Sequence, residues 1–201
     1  MINAIIFDFG RVISVQKPLS LFGAYEVELG LPPDTINAIM FDSPAWRDTL
    51  IGYTTEEEYW YAIGPELGLN TQEAIDAFRK RYRAHEAINT AVLDLISQLQ
   101  GRYKLAVLSN SPPGLEDWLD EWQILDLFDI VFCSGDEGVV KPDPKAYMTT
   151  LERLGVVPQA AVFIDDAIDN VEAARALGMQ GIHFSTAETL VTELKALRII
   201  S

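Results

Sequence analysis

Three short apolar runs limit what this chain can fold into. Ala4 to Phe7, Leu105 to Leu108 and Ala161 to Ile164 show no polar alternation, and each stops at a polar residue: Asp8, Ser109 and the pair Asp165-Asp166. Such runs read as strands covered on both faces, as in the middle of a parallel sheet. Two further runs, Ile130 to Phe132 and Gly181 to Phe184, extend the series. The segments between them have helical spacing. Val92, Leu95, Ile96 and Leu99 share one face, and Gly101 ends it. Asp143-Pro144 offers an N-cap and a proline for the first helical position, ahead of Tyr147, Leu151 and Leu154. Val171, Ala174 and Leu177 line the next helix, and Leu190, Leu194 and Leu197 the last. This alternation predicts an α/β fold, a three-layer doubly wound parallel sheet.

One stretch breaks the rhythm. Between the first strand and about Glu86 no buried-strand run occurs, and apolar residues recur at helical spacing: Trp60, Ile63 and Leu67, then Ile75, Phe78 and Tyr82. Pro32-Pro33-Asp34 and Ser43-Pro44 mark helix starts. Thr54-Thr55-Glu56-Glu57 reads as a capping box, with Gly68 as the stop of that helix. The expectation is a core made of residues 1–14 and 89–201. An α-helical cap of about four short helices, residues 15–88, is inserted after the first strand, over the strand ends.

The bulk numbers exclude several classes. The 201 residues are 49% hydrophobic, which suits a folded domain with a modest insert. A formal net charge of −15 argues against nucleic acid as a partner, because phosphate backbones call for Lys and Arg. An anionic substrate must therefore be drawn in by a local positive site. No apolar run is long enough to cross a bilayer, and the N-terminus lacks a signal-peptide pattern. A single cysteine, Cys133, rules out an internal disulfide and fits a reducing, cytoplasmic setting, where it reads as a small buried hydrophobe.

In a parallel sheet the strand ends on one edge converge, and ligands bind there. Asp8, Ser109 and Asp165-Asp166 therefore meet in one crevice, joined by Lys141 from the loop after the third strand. Carboxylates with no thiol or imidazole beside them suit a hard cation such as Mg²⁺. The cation relieves the repulsion between Asp8 and Asp166 and holds a phosphate oxygen. Asp8 attacks phosphorus, and water hydrolyses the resulting aspartyl-phosphate. Lys141, Ser109 and backbone N–H groups near Phe9 and Gly10 hold the equatorial oxygens.

Four segments carry a resemblance: Ile5-Ile6-Phe7-Asp8-Phe9-Gly10, Val107-Leu108-Ser109-Asn110, Val140-Lys141-Pro142-Asp143-Pro144, and Phe163-Ile164-Asp165-Asp166-Ala167-Ile168-Asp169-Asn170. In order, and on the expected elements, they resemble the haloacid dehalogenase-like hydrolase superfamily in its helical-cap branch. The nearest look is to sugar-phosphate phosphatases of the α-D-glucose-1-phosphatase type. The resemblance implies a phosphoric monoester hydrolase acting on a small phosphorylated metabolite such as a sugar phosphate. It makes Asp8 the nucleophile and a Mg²⁺ ligand, the Gly10 carbonyl a second ligand and Asp166 a third. Asp165 stands one step further out or binds through water, and Ser109, Asn110 and Lys141 hold the phosphate.

One position departs from that pattern. Most phosphatases of the family have an Asp where this chain has Gly10, and that Asp protonates the leaving group and activates water. Gly cannot move a proton. A leaving group that needs little protonation, such as an anomeric hydroxyl, fits this change, as does a proton carried by a cap residue or by the substrate. A metal-independent 2-haloacid dehalogenase and a non-catalytic phosphate-binding relative are the competing readings. Trp46, Arg47, Trp60 and Tyr61 are the cap residues that could set specificity, with helical spacing placing Trp60 in the cap core.

Overall fold

The computed structural model describes residues 1–200. Five strands form one sheet: β1 (Ala4–Phe7), β2 (Lys104–Ser109), β3 (Ile130–Cys133), β4 (Ala161–Asp165) and β5 (Gln180–His183). Every pairing is parallel, in the order β3-β2-β1-β4-β5. β1 is therefore central, with Phe7 in register with Val107 on one side and Ile164 on the other. The sequence order reverses across β1, and such a switch point opens a crevice at the carboxyl ends.

The helices in chain order are α1 (Leu19–Leu29), α2 (Ile36–Phe41), α3 (Pro44–Leu50), α4 (Glu56–Ile63), α5 (Gln72–Arg83), α6 (Thr90–Leu99), α7 (Leu115–Glu121), α8 (Ser134–Glu137), α9 (Pro144–Leu154), α10 (Ile168–Ala176) and α11 (Ala187–Ala196). Because side chains alternate along a strand, β1 feeds two cores. Ile5 and Phe7 join Leu95 and Ile96 of α6, Leu119 of α7 and Leu190 and Leu194 of α11. Ala4 and Ile6 face the other way, onto Tyr147 and Leu151 of α9 and Ala174 of α10. Burying one Leu, Ile or Phe side chain contributes about 1.5–3 kcal/mol. The sheet is thus clamped on both faces, and Asp8 is held at a rigid strand end. The Asp143 carboxylate caps α9 by accepting from Lys145 N–H at 2.8 Å, as the sequence predicts.

A third core belongs to the helical insert, where Phe22, Met40, Tyr59, Trp60, Ile63 and Phe78 pack together. The insert has five helices, α1 to α5, rather than about four. The unforeseen one is α1, whose apolar residues do not keep to one face: Leu19 and Val27 are exposed while Phe22 and Tyr25 are buried. α4 ends at Ile63, short of Gly68, because Pro65 has no N–H to continue the ladder. Pro32-Pro33-Asp34 lies in a turn before α2 and does not open it. Phe9–Ile13 forms a wide turn, kinked at Gly10 and Arg11 and closed by Ser14 N–H donating to Phe9 O at 2.8 Å.

The two connections to the insert run side by side. Val15 N–H donates to Ala87 O and Asn89 N–H to Ile13 O, each at 2.8 Å, and Lys17 pairs with Glu86. Two further contacts tie insert to sheet. Arg83 of α5 stacks over Trp118 of α7, 4.6 Å from the ring centroid. Gly52, at φ 74°, lies so close to Gly135 of α8 that any Cβ there would collide with the Gly135 carbonyl. Among the described residues no helix is long and apolar enough to cross a membrane.

Candidate active site

The turn after β1 aims Asp8 inward. Its backbone N–H donates to Ile164 O at 2.8 Å, and its own carboxylate accepts from Phe9 N–H at 2.7 Å. The Phe9 amide, one of the expected phosphate donors, is thus engaged by Asp8 itself. Lys141 reaches Asp8 Oδ1 at 2.9 Å and Asp165 Oδ2 at 2.6 Å. Its side chain is 1% exposed, and that of Asp165 is 0%. A buried ammonium bridging two carboxylates is costly to break, at about 3–5 kcal/mol if one partner is removed.

Two asparagines hold this bridge in place. Asn110 Nδ2 donates to Lys141 O at 2.9 Å, and Lys141 N–H donates to Asn110 Oδ1 at 2.7 Å. The Asn110 amide therefore fixes the lysine loop on the end of β2. Asn170 Nδ2 donates to both Asp165 oxygens at 3.2 and 3.1 Å, and Ala167 N–H adds a bond of 2.8 Å. Asp165 is saturated by these donors and Lys141. Asp166 is the freer carboxylate, with a side chain 25% exposed and paired only to Arg11 Nη1 at 3.3 Å. His183 takes the Asp166 carbonyl at 2.9 Å.

Oxygens from Asp8, Asp165 and Asp166 lie within 4.8 Å of one another. Hard, anionic donors at that spacing fit a divalent cation such as Mg²⁺. The charges also act on one another. Burial pushes the Asp8 carboxyl up, Lys141 pulls it down, and Asp165 and Asp166 push it up again, to about 6. Burial alone would lower the Lys141 ammonium, but Asp8 and Asp165 outweigh it and hold the group above its ordinary value. Cys133 is buried near Ser111 and its thiol is pushed up by burial, so it is no nucleophile.

Beside this crevice a cavity of about 480 Å³ opens between sheet and insert. Gly10, Ser109 and Asn110 form its floor, and Trp46 and Trp60 stand in its wall. Of the other cap residues singled out by sequence, Arg47 is not in the wall, and Tyr61 lies at the surface with Glu57, Asp76 and Gln72. Phe22, Met40, Phe41 and Tyr59 also line the cavity. Their spacing in sequence is that of any helix core, so nothing marked them as lining residues.

A parallel α/β core with a lysine-bridged carboxylate crevice at its switch point places a ligand site at the strand ends. A family model described as haloacid dehalogenase-like hydrolase matches residues 2–178, and the chain belongs to that family. It is 47% identical to Phosphatase MT3486 of Mycobacterium tuberculosis over 89% of this chain and 85% of that protein. It is 27% identical to the sesquiterpene phosphatase astK of Aspergillus oryzae, covering 97% of this chain and 96% of that one. Its fold matches a haloacid dehalogenase-family enzyme of Bacteroides thetaiotaomicron solved with magnesium and inorganic phosphate. The TM-score is 0.75 at 21% identity, over 92% of this chain and 95% of that one. Two other curated relatives are much longer, and the chain spans 19% and 36% of their lengths.

Proposed function

We propose that the protein is a Mg²⁺-dependent phosphatase of small phosphate monoesters, working through an aspartyl-phosphate on Asp8. The observation that carries this reading is the meeting of Asp8, Asp165, Asp166 and Lys141 at one strand edge, with the chain otherwise strongly acidic. Asp8 and Asp166, with the Gly10 carbonyl, are the groups that would hold the cation, and Asp165 would orient them from behind through Lys141 and Asn170. When bound, Mg²⁺ supplies charge neutralisation for the phosphoryl oxygens.

The chain's own groups do the rest. The free Asp8 oxygen forms a bond to phosphorus as the bond to the ester oxygen breaks, and the ester oxygen leaves with the electron pair and takes a proton from water. Lys141 and Ser109 stabilise the equatorial oxygens. A water molecule then attacks phosphorus, which releases inorganic phosphate and restores Asp8. In the same reading residues 1–14 and 89–201 carry the chemistry and 15–88 act as a cap that excludes bulk water.

A dehalogenase would set Asp8 on carbon without metal, leaving three carboxylates facing Lys141 and the exposed Arg11. Gly10 alone favours a binding-only protein. Phosphate release from a panel of esters, with Mg²⁺ and with chelator, separates the three readings. The phosphatase reading expects Mg²⁺-dependent release that Asp8→Asn abolishes. Release that survives Asp8→Asn, or no release from any ester, would overturn it.

A further inference from the structure

The cavity over the crevice has a particular chemistry. Four aromatic side chains from three cap helices stand in contact along its wall. Phe41 and Trp46 have ring centroids 5.5 Å apart, Trp46 and Tyr59 5.2 Å, and Tyr59 and Trp60 5.5 Å. Tyr59 and Trp60 are 2% and 3% exposed and back the stack, while the partly buried Phe41 and Trp46 are left to meet a further ring. Two of the three polar atoms among them are already matched, and only Trp46 Nε1 is left for a ligand. Tyr59 Oη donates to Met40 O at 2.7 Å, and Trp60 Nε1 donates to Glu56 Oε1 at 3.1 Å. Glu56 is also held by Arg79 at 3.1 Å and by Arg83. A sugar pressed against this wall would give up water hydrogen bonds with little return, at about 1–3 kcal/mol for each buried hydroxyl left unpaired.

The floor adds a second, independent constraint. Gly10 offers no proton to the departing alcohol. With no proton from position 10, a leaving group that departs readily as an anion is favoured, and a phenol does so far more readily than an alkanol. From the aromatic wall and the lack of an acid side chain at Gly10 together, we propose that the substrate is the phosphate monoester of an apolar aromatic alcohol. The inference rests on the phosphatase reading for its chemistry and on the cavity for its selectivity. The step balances simply. The Asp8 oxygen bonds to phosphorus, the bond from phosphorus to the aryl oxygen breaks, and the phenolate leaves and takes a proton from water.

Phenyl and 2-naphthyl phosphate test this, because their leaving phenols are close in acidity and differ mainly in apolar size. Glucose 1-phosphate is the sugar probe. With Mg²⁺, kcat/KM for 2-naphthyl phosphate is expected to exceed that for phenyl phosphate by about tenfold or more, with both above glucose 1-phosphate. Trp46→Ala is expected to narrow the naphthyl-to-phenyl ratio to within about threefold. Equal values for the two aryl esters, or a faster glucose 1-phosphate, would overturn the proposal. Should Trp46→Ala not fold, the wild-type ratio decides alone.

Calorimetry on Asp8→Asn separates selectivity from chemistry. If wild type turns over none of the three esters, the phosphatase reading fails. A tenfold tighter Kd for 2-naphthyl than for phenyl phosphate then still sustains the apolar site. Equal affinities, or no binding of either ester, overturn it.

Discussion

The crevice at the sheet edge and the cavity under the cap differ in how they are held. In the crevice directional bonds hold the buried groups: Lys141 by two carboxylates, Asp165 by Asn170 and Ala167, and the lysine loop by Asn110, with Asp166 left freer. In the cavity the aromatic wall is held by ring contacts and burial, with Tyr59 Oη and Trp60 Nε1 turned to protein partners. Directional bonds define a geometry to a few tenths of an ångström, which displacement at phosphorus requires. Dispersion and burial define only a shape and a polarity, which suffices to choose an alcohol. In the proposed function, the first region would decide whether a reaction occurs and the second on what.

That contrast is broken most severely by Asp8→Asn, which should cut kcat by about 10⁴-fold or more while the fold survives, as read by phosphate release and circular dichroism. Next is Lys141→Met, which leaves Asp8 and Asp165 buried and facing each other. Urea unfolding should show a loss of about 3–5 kcal/mol, and Trp46→Ala should lose less. A loss near zero for Lys141→Met would mean that the buried bridge does not organise the crevice.

Gly10→Asp sharpens the comparison from the other side. A Cβ at Gly10 meets nothing within 4 Å, and φ −64° and ψ 129° suit any residue. The added carboxyl should raise kcat on ordinary alkyl phosphates by about 10²-fold and change aryl phosphates much less. No gain on alkyl esters in a folded variant would show that proton donation does not limit the wild type.

The smallest effect concerns pH. Asp8 is raised from 3.8 to about 6, chiefly by burial. Stability from its bound proton is fully present below pH 3.8 and lost as pH rises through 6, where a bound divalent cation would offset the charge. Mg²⁺ affinity should therefore fall as pH drops below about 6, approaching tenfold per unit. In Asp8→Asn that slope should be shallower, as measured by calorimetry.

Much of this was legible in the sequence because strand ends converge by topology. Asp8, Ser109 and Asp165 end buried apolar runs, so placing the runs in one parallel sheet placed the residues. The bridging geometry of Lys141 and the tethering roles of Asn110 and Asn170 were not legible, because they depend on where two loops cross. The cap was the weaker reading. α1 hid because Gly23 interrupts it and its apolar residues point both ways, and Gly68 misled because Pro65 acts first. The cavity wall was invisible for a simpler reason. Phe41, Trp46 and Tyr59 have the spacing of core residues, and only the packing of five short helices shows which rings border empty space.

Rapid quenching of the wild-type enzyme during turnover of 2-naphthyl phosphate with Mg²⁺, followed by peptide mass analysis, tests the chemistry most directly. One phosphoryl group is expected on Asp8, absent in Asp8→Asn and absent with chelator. Steady turnover with the phosphoryl group on another residue would contradict Asp8 as the attacking group.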